Sequence, residues 1–205
     1  FGAKCSGRAC IGMLHVGNQK GRIKGEKMKA VLISVRPKWC ELIASGKKRI
    51  EVRKTRPKIE TPFKCYIYKS FGKRKDCFAR EIQTYFNCGK VIGEFVCDRI
   101  ICCQAYYDDS GKRHLTNLFG VDTSEICLSE SEMFDYIIGK NDTGWLWHIS
   151  DLKIYDKAKL LIGFSYYAEH DFTKRTIKES REMGFICHGA YITRPPQSWC
   201  YVEEI

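Results

Sequence analysis

The sequence predicts an α+β domain built on a small mixed or antiparallel β-barrel, with two or more short helices and long insertions. Three observations carry this. Five or six short segments are β-rich or alternate apolar with polar residues. Two short segments repeat apolar residues at helical spacing and carry their own start and stop signals. The connections read as hairpins with excursions, and strands outnumber helices.

Residues 29–35 (KAVLISV) form an apolar, β-rich run, predicting a buried strand. Pro37 suits the first turn of a helix, Trp39, Leu42 and Ile43 share one helical face, and Gly46 is placed to end it. Residues 48–53 (KRIEVR) then alternate. Ile50 and Val52 share one side, and Arg49, Glu51 and Arg53 share the other. The apolar pair should face the core. The charged trio must face either solvent or a polar cleft in which Glu51 and Arg53 neutralise each other.

Residues 55–62 read as a loop, 63–68 (FKCYIY) as a strand and 91–101 (VIGEFVCDRII) as the longest strand, with a bulge at Gly93. Ser129 and Glu132 fit a capping box ahead of a helix whose face is Met133, Phe134, Ile137 and Ile138, stopped at Gly139. Residues 145–155 (WLWHISDLKIY) alternate as a strand that 156–163 could continue after a turn. Pro195 and Pro196 lead into a last strand over 197–202. Insertions are expected near 69–90, 103–124 and 166–190.

The chain of 205 residues carries a net charge of +11. Residues 1–27 hold six basic residues against Glu26 alone, with no sustained period. They read as a basic extension outside the domain: a disordered arm that binds phosphates, or leader translated ahead of Met28. The rest, 28–205, is still basic, which leans towards anionic partners such as nucleic acid, although a basic surface also serves solubility. No run approaches the roughly 18 apolar residues of a membrane span. The 12 cysteines include no Cys-x-x-Cys pair. Cys65, Cys97, Cys102 and Cys127 sit among apolar residues, as buried thiols do. A cytoplasmic protein without cofactor or metal is expected. Cys5 with Cys10, and Cys187 with His188, are weak metal candidates.

At Gly46, Lys48, Glu51 and Arg53 the stretch GKKRIEVR fits the signature Gly-x-Lys-x-x-Glu-x-Arg and so resembles the ASCH domain family of the PUA-like superfamily. The resemblance spans about residues 28–203. The closing PPQSWCYVE is similar to the end of larger ASCH-like proteins carried by phages and prophages of Gram-positive bacteria. It implies a six-stranded or similar β-barrel with a cleft beside the first helix, lined by the signature residues, that binds RNA or a nucleotide. One bacterial branch of the family resembles an amidohydrolase of N4-acetylcytidine. There the signature lysine is catalytic, a threonine stands where this chain has Glu51, and a glutamate follows later; Glu94, Glu130 and Glu132 are candidates for it.

The residues allow the same chemistry. Arg49 and Arg53 disfavour further positive charge at Lys48, which would free an amine as base or nucleophile, and Glu51 could orient it or relay a proton. A solvated ion pair on an exposed strand is the plainer alternative. Arg36 and Lys38 could hold phosphates, Ser34 could make a polar contact, and Gln197 and Ser198 could bond a base edge or a 2′-hydroxyl. Trp199, ahead of Trp39, is the expected stacking partner, while Trp145 and Trp147 share one strand face between core and cleft. Three functions follow: a module binding RNA, a modified base or a nucleotide; a nucleoside amidohydrolase using Lys48; or a phage-encoded protein that binds a host factor.

Overall fold

The computed structural model describes residues 28–71, 87–139, 141–167 and 191–205. The extension 1–27, most of the 69–90 insertion and most of 166–190 lie outside the described residues, as do the metal candidates Cys5, Cys10, Cys187 and His188. The described chain is α+β, with strands in two hydrogen-bonded sheets, two α-helices and two 3₁₀ turns.

Strands β1 (Lys29–Val35) and β3 (Phe63–Lys69) run parallel at the centre of a five-stranded sheet. Between them the chain makes helix α1 (Pro37–Ala44) and strand β2 (Ile50–Arg53). Antiparallel neighbours extend this sheet: β4 (Lys90–Cys97) and β8 (Ser150–Leu160) beyond β3, and β9 (Trp199–Glu203) beside β1. The second sheet is antiparallel, in the order β2, β7 (Thr143–His148), β5 (Ile100–Tyr107), β6 (Arg113–Leu115).

The unbroken apolar run of β1 follows from burial on both faces. Val31, Ile33 and Val35 join a core with Cys65, Ile67, Phe95 and Trp147 between the sheets. Ala30 and Leu32 join a second core with Tyr66, Tyr68, Phe164 and Val202. A third core lies under helix α2 (Glu130–Ile137), where Met133, Phe134 and Ile137 pack on Ile50, Val52, Cys103 and Leu146. The capping box of α2 forms as its sequence predicts. Ser129 accepts from the Glu132 backbone N–H, and Glu132 accepts from the Ser129 N–H.

Two expectations change for one reason. The 91–101 segment is not a single strand: it turns at Asp98 and Arg99, leaving β4 in one sheet and entering β5 in the other. The 145–155 segment likewise breaks at Ile149, between β7 and β8. At each corner the parity of the core-facing residues shifts, from Phe95 and Cys97 to Ile100 and from Trp147 and Ile149 to Leu152, but apolar residues stay frequent on both sides and the two halves read as one strand. The two corners meet, because the His148 N–H donates to the Arg99 carbonyl at 2.9 Å. The 103–124 segment is also more ordered than expected. It holds the end of β5 and the β5–β6 hairpin, whose tip is pinned by the Asp108 carboxylate accepting from the Ser110 and Lys112 N–H groups.

Gly93 lies at a register shift between β4 and β8, in line with the expected bulge. A Cβ there would stand 2.5 Å from the Lys153 carbonyl oxygen, which is backbone and cannot rotate away. Gly93→Ala is therefore expected to destabilise the fold by about 1–3 kcal/mol, read as a lower urea midpoint at unchanged slope.

Candidate functional site

Alternation along β2 decides the site. Ile50 and Val52 enter the core under α2, so Glu51 and Arg53 project from the opposite face, towards β1 and α1. That face is enclosed, with Glu51 and Arg53 each only 7% exposed and Lys48 2%. The solvated alternative for this pair does not hold. Arg49, by contrast, leans outward with a half-exposed side chain 3.8 Å from Glu125.

Lys48 reaches the same place by a different route. Gly46 ends α1 with φ +74°, a left-handed conformation that suits glycine. The Gly46 N–H then donates to the Ile43 carbonyl and the Lys48 N–H to that of Leu42, so the chain doubles back beneath the helix. The Lys48 Nζ lies 5.1 Å from the Trp39 ring centre. It donates to the Ile50 carbonyl at 2.8 Å and to the Ile126 carbonyl at 2.6 Å, and stands 3.4 Å from Glu51 Oε2. A 3₁₀ turn, Thr123–Ile126, presents the second carbonyl.

Arg53 completes the floor. Its Nη2 is 3.1 Å from Glu51 Oε1 and donates to the Ser34 carbonyl at 2.7 Å. Its Nη1 is 3.4 Å from Ser198 Oγ, while its Nε is buried with no protein acceptor. One carboxylate thus serves two cations, and a unit of positive charge is left over.

Above this floor opens a cavity of about 520 Å³. Of the residues singled out in the sequence, Ser34, Arg36, Trp39, Lys48, Glu51, Arg53, Gln197 and Ser198 all line it. Ser34 also fastens the rim, its hydroxyl donating to the Pro196 carbonyl at 2.7 Å. Lys38 lies outside the lining, its ammonium 4.5 Å from the Trp39 ring centre.

Trp199, expected as the leading stacking partner, is not in the lining either. Neighbouring residues of an extended chain point to opposite sides, so Ser198 takes the cavity and Trp199 the core. Its ring packs 6.2 Å from that of Trp147 and 5.3 Å from that of Tyr201, and its indole N–H donates to Thr55 Oγ1 at 3.0 Å. Trp145 and Trp147 belong to the same core and lie outside the cavity. Of the later glutamates, Glu132 lines it and Glu94 and Glu130 do not. Hydrogen bonds from the Ser129 backbone N–H and hydroxyl hold the Glu132 carboxyl below its usual range.

Sequence reading missed Tyr136, Leu128, Ser70 and Val52 as lining residues, and Pro195 and Pro196 as more than chain direction. Tyr136 carries no periodic signal of its own. It stands four residues after Glu132 on the face of α2 that the core stripe leaves out. Burial raises its phenol above the ordinary value, Glu51 adds to this, and Arg53 and Arg36 oppose it. The thiols show the same effect more strongly. Burial pushes Cys97 and Cys200 up to about 12 and Cys103 to about 11, so these are unreactive. Of the other three thiols read as buried, Cys65 is, while Cys102 and Cys127 are half-buried.

The cavity floor depends on the central carboxylate. Glu51→Gln keeps the shape but leaves two buried cations with no counter-charge, so it should cost about 3–5 kcal/mol, measured by chemical denaturation. A Lys48→Met/Glu51→Leu/Arg53→Met triple variant, which removes all three charges, should recover much of that loss.

Comparison with known proteins gives a consistent picture. Residues 33–91 match the family model of the ASCH domain, from the end of β1 to the start of β4. The fold resembles the crystal structure of ASCH from Zymomonas mobilis, with TM-score 0.50 and 20% identity, covering 84% of this chain and 86% of that one. Two substituted forms of that protein align at TM-score 0.49 and 19% identity, over 84% of this chain and 88% and 87% of theirs. No curated protein matches the sequence. The stretch that holds the signature residues thus matches the ASCH domain model, and the fold over most of the chain resembles that of a solved ASCH structure.

Proposed function

We propose that the cavity binds a nucleotide or an unpaired, modified base of RNA. The observation that carries this is the floor: two cations on one carboxylate, closed in by Trp39. A volume of about 520 Å³ lies within the range of small-ligand sites, roughly 300–1,000 Å³. The surplus charge and the unpaired Arg53 Nε favour a ligand rich in acceptors, such as a pyrimidine carbonyl or a phosphate oxygen. Trp39 offers a ring face, and Gln197 and Ser198 offer donors and acceptors for a base edge. RNA is the polymer generally associated with the ASCH domain, which motivates the choice of ribonucleotide.

The geometry at Lys48 favours binding over hydrolysis. A lysine ammonium has three N–H groups, and here three acceptors stand around it: two carbonyls and the Glu51 carboxylate. A nitrogen so engaged is a structural donor of the floor, not a free nucleophile. The threonine of the amidohydrolase branch is also replaced by Glu51, which is already shared between two cations.

Titration with cytidine, uridine and N4-acetylcytidine monophosphates, followed by calorimetry and tryptophan fluorescence, tests the reading. Trp39→Ala should weaken binding about 5- to 150-fold, the equivalent of one lost stack at roughly 1–3 kcal/mol. Arg53→Lys, which keeps the charge but loses the fork, should weaken it as well. Unchanged affinity in both variants would falsify the cavity as the site. Release of cytidine from N4-acetylcytidine, abolished by Lys48→Gln, would instead establish the amidohydrolase.

A further inference from the structure

We infer that the loop after β2 is a phosphate track for single-stranded nucleic acid, leading away from the cavity. The inference rests on the cavity reading only for where the strand ends. The loop begins at Arg53 in the cavity floor and carries Lys54, Arg56 and Lys58, all exposed, against Glu60. Among the described residues, none of these three cations is in an ion pair.

Aromatic side chains hold this loop instead. Lys54 Nζ lies 5.5 Å from the ring centre of Tyr136, a cavity residue. Thr55 accepts the Trp199 indole N–H at 3.0 Å, and the Arg56 guanidinium lies 4.8 Å from the Trp145 ring centre. The Lys58 backbone N–H donates to the Tyr201 hydroxyl oxygen at 2.6 Å. Four contacts in five residues thus hold the loop, one of them at its backbone, and Pro57 stiffens it further. Ring faces hold cations in place without neutralising them. Beyond Arg56 the loop borders a second, open groove of about 540 Å³, lined by residues 56–61 and Ile100.

A fixed row of unneutralised cations suits a partner with regularly repeated negative charge. Its continuity with a cavity sized for one base selects a single strand over a duplex, in which bases are stacked and paired away. Preorganisation of the loop removes part of the ordering cost of binding.

The test uses the full chain, a labelled mixed-sequence RNA of about 12 nucleotides and a mononucleotide, each titrated from roughly 50 to 200 mM salt. R56Q/K58Q should weaken RNA binding about fivefold and flatten its log–log salt slope by about 1.4, roughly 0.7 for each cation removed, with mononucleotide affinity unchanged. The charge-keeping R56K/K58R should retain the wild-type slope, which separates charge from folding. An unchanged slope in R56Q/K58Q overturns the track. Polyglutamate that displaces the RNA as well as a second RNA does, charge for charge, overturns the assignment to nucleic acid. If the wild-type chain binds no mononucleotide yet its RNA slope still depends on Arg56 and Lys58, the track stands and the cavity reading falls.

Discussion

Glu51 lies on a strand whose two neighbouring apolar residues are committed to the core beneath α2. Its carboxylate is therefore driven to the enclosed face, where only a small part of it meets solvent. Lys48 and Arg53 supply the counter-charge from either side. Each brings a further element with it: Lys48 binds the carbonyl of the 3₁₀ turn at Ile126, and Arg53 binds the carbonyl at the end of β1. One buried carboxylate thus ties β2 to both of its surroundings. Buried ion pairs seldom add net stability over apolar packing. Their value here is positional, because the same three side chains that satisfy one another also form a shaped, positively charged floor.

The floor lies where the chain topology leaves room for it. Strands β1 and β3 are parallel and adjacent, so their carboxyl ends open at the same edge of the sheet. Ser34, Val35 and Arg36 border the cavity from one strand and Ser70 from the other. Helix α1 departs from this edge, and β2 returns under it. Open sheets with parallel strands commonly bind ligands outside the carboxyl ends of those strands. Here the parallel pair is the only one in an otherwise antiparallel arrangement of the described strands, and the cavity is found at its end.

Much of this was legible because local chemistry and burial agreed. The run 29–35, the Gly46 stop, the Ser129–Glu132 box and the Ile50/Val52 alternation each have one physical reading, and each stands in the structure. The corners at Asp98–Arg99 and Ile149 were not legible. The core-facing parity shifts by one at each, yet apolar residues stay frequent on both sides, and neither corner has a glycine or proline to mark it. The lining residues from α2 were obscured for a related reason. A helix pattern reports the stripe that packs, so Tyr136 on the other face carries no periodic signal. Lys48 was grouped by sequence with the signature residues, but its parity matches Ile50 and Val52. Only the turn at Gly46 brings it to the side of Glu51.

The tryptophans show how residue type and residue role diverge. Composition suggested several stacking walls, with Trp199 foremost. Of the four, Trp39 lines the cavity, Trp147 is wholly buried, and Trp145 and Trp199 are half-buried between the core and the 54–61 loop. An indole offers two faces and an edge, and on an interior strand most of these are used by the sheet it belongs to. What remains for Trp145 is a face for Arg56, and for Trp199 an N–H for Thr55. Both are spent on holding a basic loop in one conformation. On the proposed reading the aromatic groups divide the work: Trp39 would stack on the ligand, while Trp145 and Trp199 act indirectly, by holding the loop whose positive charge a phosphate backbone would meet.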